Sequence, residues 1–120
     1  MKPSIEKWIE EVKKEAPPEK IGMILVHNGI VRETSKRENR QVKALRLSYD
    51  KDLLEKTVKE FSKKEGIAQI KVWINEGNLK VGDDIMLVLV AGRYRTDVLP
   101  AFEELIEKIK GEIVREEELF

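Results

Sequence analysis

The run Ile85-Met86-Leu87-Val88-Leu89-Val90 constrains this chain more than any other stretch. Six consecutive apolar residues are too few for a helix of ordinary length. The run is rich in β-branched residues, so it reads as a strand covered on both faces. Gly82-Asp83-Asp84 ahead of it is turn chemistry. Small Ala91 and Gly92 follow, leading into Arg93-Tyr94-Arg95. A core strand that ends on two guanidiniums and a phenol points to an anion site at its C-terminal end.

A strand buried on both faces needs layers above and below, and 120 residues supply them. The length suits one domain, residues 1–120, burying about two-thirds of its unfolded surface. Lys plus Arg and Asp plus Glu balance at 23 each. That balance argues against a general nucleic-acid or membrane binder, which carries a basic excess. Charged residues make up 38% of the chain, a Glu- and Lys-heavy bias associated with hot environments. There is no cysteine, which excludes disulfides, thiolate zinc sites and a cysteine nucleophile. The single histidine, His27, cannot build a metal site alone, and within an apolar strand it reads as a core or interface residue. The opening MKPSIEKWIEEVKKE is charged and amphipathic, without the apolar region of a secretory leader. No apolar run approaches a membrane span in length. A soluble, cytoplasmic protein is expected.

Taken in order, Ser4 is placed to cap a helix carrying Ile5, Trp8, Ile9 and Val12, which must stop before Pro17-Pro18. Ile21 to Val31 reads as a strand, with Gly29 marking a bulge or close backbone approach, and it ends at Arg32. The polar stretch after it, with Lys36, Arg37 and Arg40, reads as a flexible, solvated loop. Leu45, Leu47 and Tyr49 alternate as a strand. Asp50 or Asp52 then caps a helix with the stripe Leu54, Val58 and Phe61, closed by Gly66. Ile70, Val72 and Ile74 form another strand, Asn75 to Asn78 a turn, and Leu79–Val81 a short strand before the central one. Thr96 or Asp97 is expected to cap a last helix, with Leu99, Phe102, Leu105, Ile106 and Ile109 on its stripe and Gly111 at its end. Glu112–Arg115 is a short strand candidate, and EEELF reads as an acidic tail. Hairpin-joined strands with segregated helices give an α+β domain.

Two of these stretches carry a family resemblance. GMILVHNGIVR, residues 22 to 32, resembles the opening strand of the molybdopterin synthase large (catalytic) subunit family. The shared pattern is a glycine, a short β-run, a second glycine seven residues later, then Val-Arg. LKVGDDIMLVLVAGRYR, residues 79 to 95, is similar to its second signature without gaps, and KALRLSYD with its helix matches the segment between. The resemblance covers roughly residues 20 to 116. It implies an α/β-hammerhead type of α+β fold, a mostly antiparallel sheet with about three helices. It further implies an enzyme moving sulfur from the C-terminal thiocarboxylate of a ubiquitin-like small subunit to a cyclic pyranopterin phosphate. No resident cofactor or metal is called for, and the implied assembly is a homodimer within a heterotetramer.

Position by position, the resemblance assigns substrate anion binding to Arg32 and Arg95. Lys110, fifteen residues after Arg95, falls on the family's first essential lysine. Tyr94 stands where the family has histidine, exchanging a near-neutral titrating ring for a phenol of pKa about 10. It can still donate a hydrogen bond to phosphate. Arg115 falls nearest the family's second lysine; a guanidinium can hold an anion but stays protonated. The sequence ends at Phe120, where many relatives continue into a tail that can reach a neighbouring subunit's site. The Tyr94 and Arg115 departures motivate an alternative: a diverged, non-catalytic paralogue that binds a phosphorylated pterin or the small subunit.

Overall fold

The computed structural model describes residues 2–35 and 40–120. Helix α1 (Ile5–Glu15) is capped by Ser4, whose Oγ accepts from the Lys7 N–H at 3.2 Å. Strand β1 (Met23–Ile30) and strand β2 (Ala44–Tyr49) follow. Helix α2 (Lys51–Ser62) is capped by Asp50 rather than Asp52, its carboxylate accepting from the Leu53 N–H at 3.0 Å. Strands β3 (Ile67–Ile74), β4 (Gly77–Lys80) and β5 (Asp84–Gly92) lead to helix α3 (Arg95–Lys108). A π-helical turn (Ile109–Ile113) and strand β6 (Val114–Leu119) complete the order. The fold is α+β, with two antiparallel three-stranded sheets ordered β1-β5-β3 and β4-β2-β6.

The apolar run lies in the middle of the first sheet, and Met86 through Ala91 are all fully buried. Alternate residues explain why the run is unbroken. Met86, Val88 and Val90 join the main core with Leu45 and Leu47 of β2, Phe61 of α2 and Leu105 of α3. Leu89 and Ala91 face the other way, into a second cluster with Val12, Trp8 and Ile9 of α1. Each such side chain contributes about 1.5–3 kcal/mol on burial, so α1 stabilises a sheet face that would otherwise stand in water. The β1–β5 register shifts between Gly29 and Ile30, the irregularity that Gly29 signals in the sequence.

Five local expectations are corrected. EEELF is not a free tail: β6 runs through Leu119, and Glu116, Glu117 and Glu118 pair with Leu47, Arg46 and Leu45 of β2. The short strand expected at Glu112–Arg115 therefore begins two residues later, at Val114. Helix α3 starts at Arg95 with Tyr94 in the cap position and no side-chain cap bond; Asp97 is committed elsewhere, to Arg93 at 2.9 Å. Of its expected stripe, Leu105 and Ile109 are in the core and Phe102 and Ile106 pack against it, joined by Val98 and Ala101, whereas Leu99 is 40% exposed. Gly111 does not stop the helix. The chain widens into the π-helical turn instead, pinned by Ile109 and Ile113, which are 0% and 2% exposed.

Candidate functional site

Helix α3 packs on β5 and β1. Its fourteen residues span about 21 Å at helical rise, close to the length of the strand pair beneath it. It therefore begins beside the Gly92 end of β5 and delivers the following turn to the Asp84 end. The π-helical turn, a feature often found at functional sites, exposes Lys110 between its two buried isoleucines. Lys110 thus meets the residues that follow β1. Together they line an open cavity of about 350 Å³ with Arg32, Ile30, Ile85, Glu116 and Glu118 among its walls.

Within that cavity Arg32 is oriented by its own loop. Its Nε donates to the Thr34 carbonyl at 2.8 Å, and among the described residues its two Nη groups have no partner. Lys110 likewise has no ion pair among the described residues. Glu118 accepts a hydrogen bond from the Ser35 hydroxyl at 3.1 Å. Arg32 and Lys110 face an otherwise mixed lining, apolar at Ile30 and Ile85 and acidic at Glu116 and Glu118, and their free donors suit an anion held on the cationic side. His27 lies behind this cavity on β1, with Nε2 buried and without a hydrogen-bond partner among the described residues. Burial first, and the charge of Lys110 second, hold its imidazole below the ordinary histidine range.

The Arg93-Tyr94-Arg95 cluster stands elsewhere, and its guanidiniums are not equivalent. Arg93 donates through Nε to Asp97 at 2.9 Å and through Nη2 to Glu65 at 3.0 Å; these partners raise its pKa, Asp97 most. It is a structural pin, not a free anion binder. Its backbone is fixed as well: Arg93 N–H donates to the Gly66 carbonyl at 3.0 Å. Gly66 takes φ +81°, which disfavours a side chain. Gly22 meets the Arg93 carbonyl so closely that a Cβ there has no room. Thus anchored, the chain presents Tyr94, 62% exposed, and the exposed Arg95, which has no ion pair among the described residues.

Arg32 and Lys110 are brought together; Tyr94 and Arg95 are not brought to them. Met23 pairs with Gly92 and Ile30 with Asp84, so the two groups occupy opposite ends of β1–β5, roughly 25 Å apart at strand rise. Arg115 also stands apart. It pairs with Ser48 and lines a separate recess of about 310 Å³ with Tyr49, Asp50 and Glu112. Because strand side chains alternate, it is Glu116 and Glu118 that reach the cavity. The expectation for Lys36 and Arg37 lies outside the described residues. Arg40 carries its guanidinium over the Phe120 ring, 4.1 Å from the centroid, at the end of β6.

The model of the family described as MoaE protein matches residues 3–112. The chain belongs to the MoaE family. This is the large-subunit family that the two sequence signatures resemble, and membership brings a role in molybdopterin biosynthesis. An uncharacterised protein of Methanocaldococcus jannaschii is 31% identical over 94 residues, covering 76% of this chain and 79% of its own. Among solved structures, molybdopterin synthase from Staphylococcus aureus superposes with a TM-score of 0.73 at 21% identity, covering 98% of this chain and 85% of that one. A complex of subunits 1 and 2 of molybdopterin-converting factor from Helicobacter pylori gives 0.71 at 22% identity, over 98% and 80%. These likenesses carry the MoaE-type fold.

Glu116, Glu118 and His27 are the members of this region that the sequence reading did not place. The alternation of Val114, Glu116 and Glu118 against Arg115 and Glu117 is visible in the sequence, but three successive glutamates conceal it as a strand. Among the described residues no group of three or more His, Asp or Glu is arranged to hold a metal ion, and no helix is long and apolar enough to cross a membrane.

Proposed function

We propose that this MoaE-family protein is the large subunit of a cytoplasmic molybdopterin synthase, transferring sulfur from a thiocarboxylated ubiquitin-like small subunit to a cyclic pyranopterin monophosphate. The observation that supports it most is the meeting of Lys110 and Arg32 in one cavity, since these are the positions the family resemblance assigns to catalysis and substrate anion binding. In this reading Arg32 holds the substrate's negative charge through its free Nη donors. Lys110 acts at the point where thiocarboxylate and pterin meet. Holding both reactants in register supplies much of the rate. Arg115, one recess away, fits guidance of the partner's tail better than proton transfer.

The same reading requires a second copy. Tyr94 and Arg95 can serve the substrate held by Arg32 and Lys110 only if they come from a neighbouring subunit, because within one chain they stand at the far end of the sheet. A homodimer carrying two small subunits meets that requirement. The solved Helicobacter pylori complex of two factor subunits supports a small-subunit partner of this kind.

A second reading, a non-catalytic paralogue that binds the pterin or the small subunit, is favoured by Tyr94 in the histidine position and by Arg115 lying outside the cavity. Reconstitution separates the two. The purified chain, a thiocarboxylated small subunit and cyclic pyranopterin monophosphate should yield dithiolene product. Partner binding without product supports the paralogue.

A further inference from the structure

His27 has no role in the reaction outlined above, yet its position costs the fold something. A buried ring nitrogen without a hydrogen bond is unfavourable by about 1–3 kcal/mol relative to a satisfied one. Nε2 has no partner among the described residues and is closed to solvent. It lies over Gly29, where an added Cβ would stand 3.3 Å from it, 3.6 Å from Ile85 and 3.7 Å from Met86. Ile85 is itself a wall of the Arg32–Lys110 cavity, so the imidazole is packed directly behind that wall. The charged and titratable groups around it come from few elements. Opposite on β5 stands Val88, which carries no charge. The turn after α3 contributes Lys110, whose charge reaches the ring. Arg32 and the β6 residues Glu116 and Glu118 complete the cavity.

We propose that His27 is a proton-linked member of this cavity: an anion bound at Arg32 and Lys110 draws a proton from solvent onto the imidazole, and acidification in turn tightens anion binding. The inference rests on the reading of the cavity as an anion site. An anion beside Lys110 offsets the field that disfavours the imidazolium, while the burial of Nε2 limits screening of that exchange. Linkage makes the effect reciprocal: whatever the ligand does to the affinity for the proton, the proton does to the affinity for the ligand. His27 then works as the cavity's own sensor of charge. It is the single histidine of the chain, and histidine is the side chain whose ordinary titration falls near neutrality.

The test uses the full-length protein and sulfate, which remains a dianion throughout the range of interest. The His27 Cε1–H resonance is followed by NMR from about pH 5.5 to about pH 8, with and without sulfate, at ionic strength matched with chloride. Sulfate should move the His27 midpoint upward. Its affinity should rise roughly threefold from the alkaline to the acid end. His27→Gln should flatten that dependence, which separates the histidine from Glu116 and Glu118. Lys110→Gln should raise the His27 midpoint without any sulfate, a response a purely structural histidine would not give. An unchanged midpoint while sulfate shifts the Arg32 and Lys110 amides overturns this inference alone. Absence of any sulfate effect on those amides overturns it together with the anion-site reading.

Discussion

Arg32 and Arg95 stand at opposite ends of one antiparallel strand pair, the first just beyond the Ile30–Asp84 pairing and the second just beyond Met23–Gly92. The family resemblance assigns both to a substrate site, whereas backbone geometry separates them by roughly 25 Å. In the proposed reading a shared site is built from two chains, each supplying one end of its sheet.

That relationship can be tested by complementation. Arg32→Ala and Arg95→Ala chains should each be nearly inactive alone in the reconstituted assay. Mixed at equal amounts and allowed to exchange, half the dimers pair unlike chains, and each of these restores one of its two sites. Activity should return to about a quarter of the wild-type level. No recovery from verified mixed dimers would contradict a site shared in this way.

Gly22 links the fold to the Tyr94–Arg95 end. A side chain there meets the Arg93 carbonyl, so Gly22→Ala should destabilise the protein by about 1–3 kcal/mol and displace the backbone that presents Arg95. Chemical denaturation gives the first value, and amide shifts at residues 93 to 95 report the second. Unchanged stability with unmoved amides would contradict the tight approach.

Acid sensitivity follows from His27. Its pKa is lowered in the folded chain, by burial first and Lys110 second, so between the folded and unfolded values the unfolded chain binds the extra proton. The contribution to stability is fully present above the ordinary value of about 6.5 and is lost as pH falls through the folded value. The melting temperature should therefore drop from about pH 7.5 to about pH 5.5, and His27→Phe should lessen that drop. An identical drop in both proteins would contradict the burial of a neutral ring.

The elements legible in the sequence are those whose signals are local. Ile85–Val90 announced the central strand because every residue in it is apolar, and Ser4 and Asp50 announced helix starts because each cap serves its own helix. Strand β6 was legible only at its start, where the Glu112–Arg115 candidate overlaps it at Val114 and Arg115. Glu116 to Glu118 have low strand propensity, and their extended form depends on β2, a partner more than sixty residues away in the chain. The cap of α3 was misread because Asp97 answers to Arg93 rather than to the helix end.

In the candidate site, the resemblance names Arg32 and Lys110, and one cavity holds both. Glu116 and Glu118 depend on the phase of β6, and His27 on the approach of a turn eighty residues later. Motif spacing carries neither kind of information.

The most direct test of the proposed chemistry is single-turnover sulfur transfer by wild-type protein and Lys110→Ala, each saturated with thiocarboxylated small subunit and cyclic pyranopterin monophosphate. Lys110 is exposed on a turn pinned by Ile109 and Ile113, so the variant should keep the wild-type fold and partner affinity. Its rate of dithiolene formation should fall about 10²–10⁴-fold. Transfer at the wild-type rate by a folded, partner-bound Lys110→Ala protein would contradict the role given to Lys110.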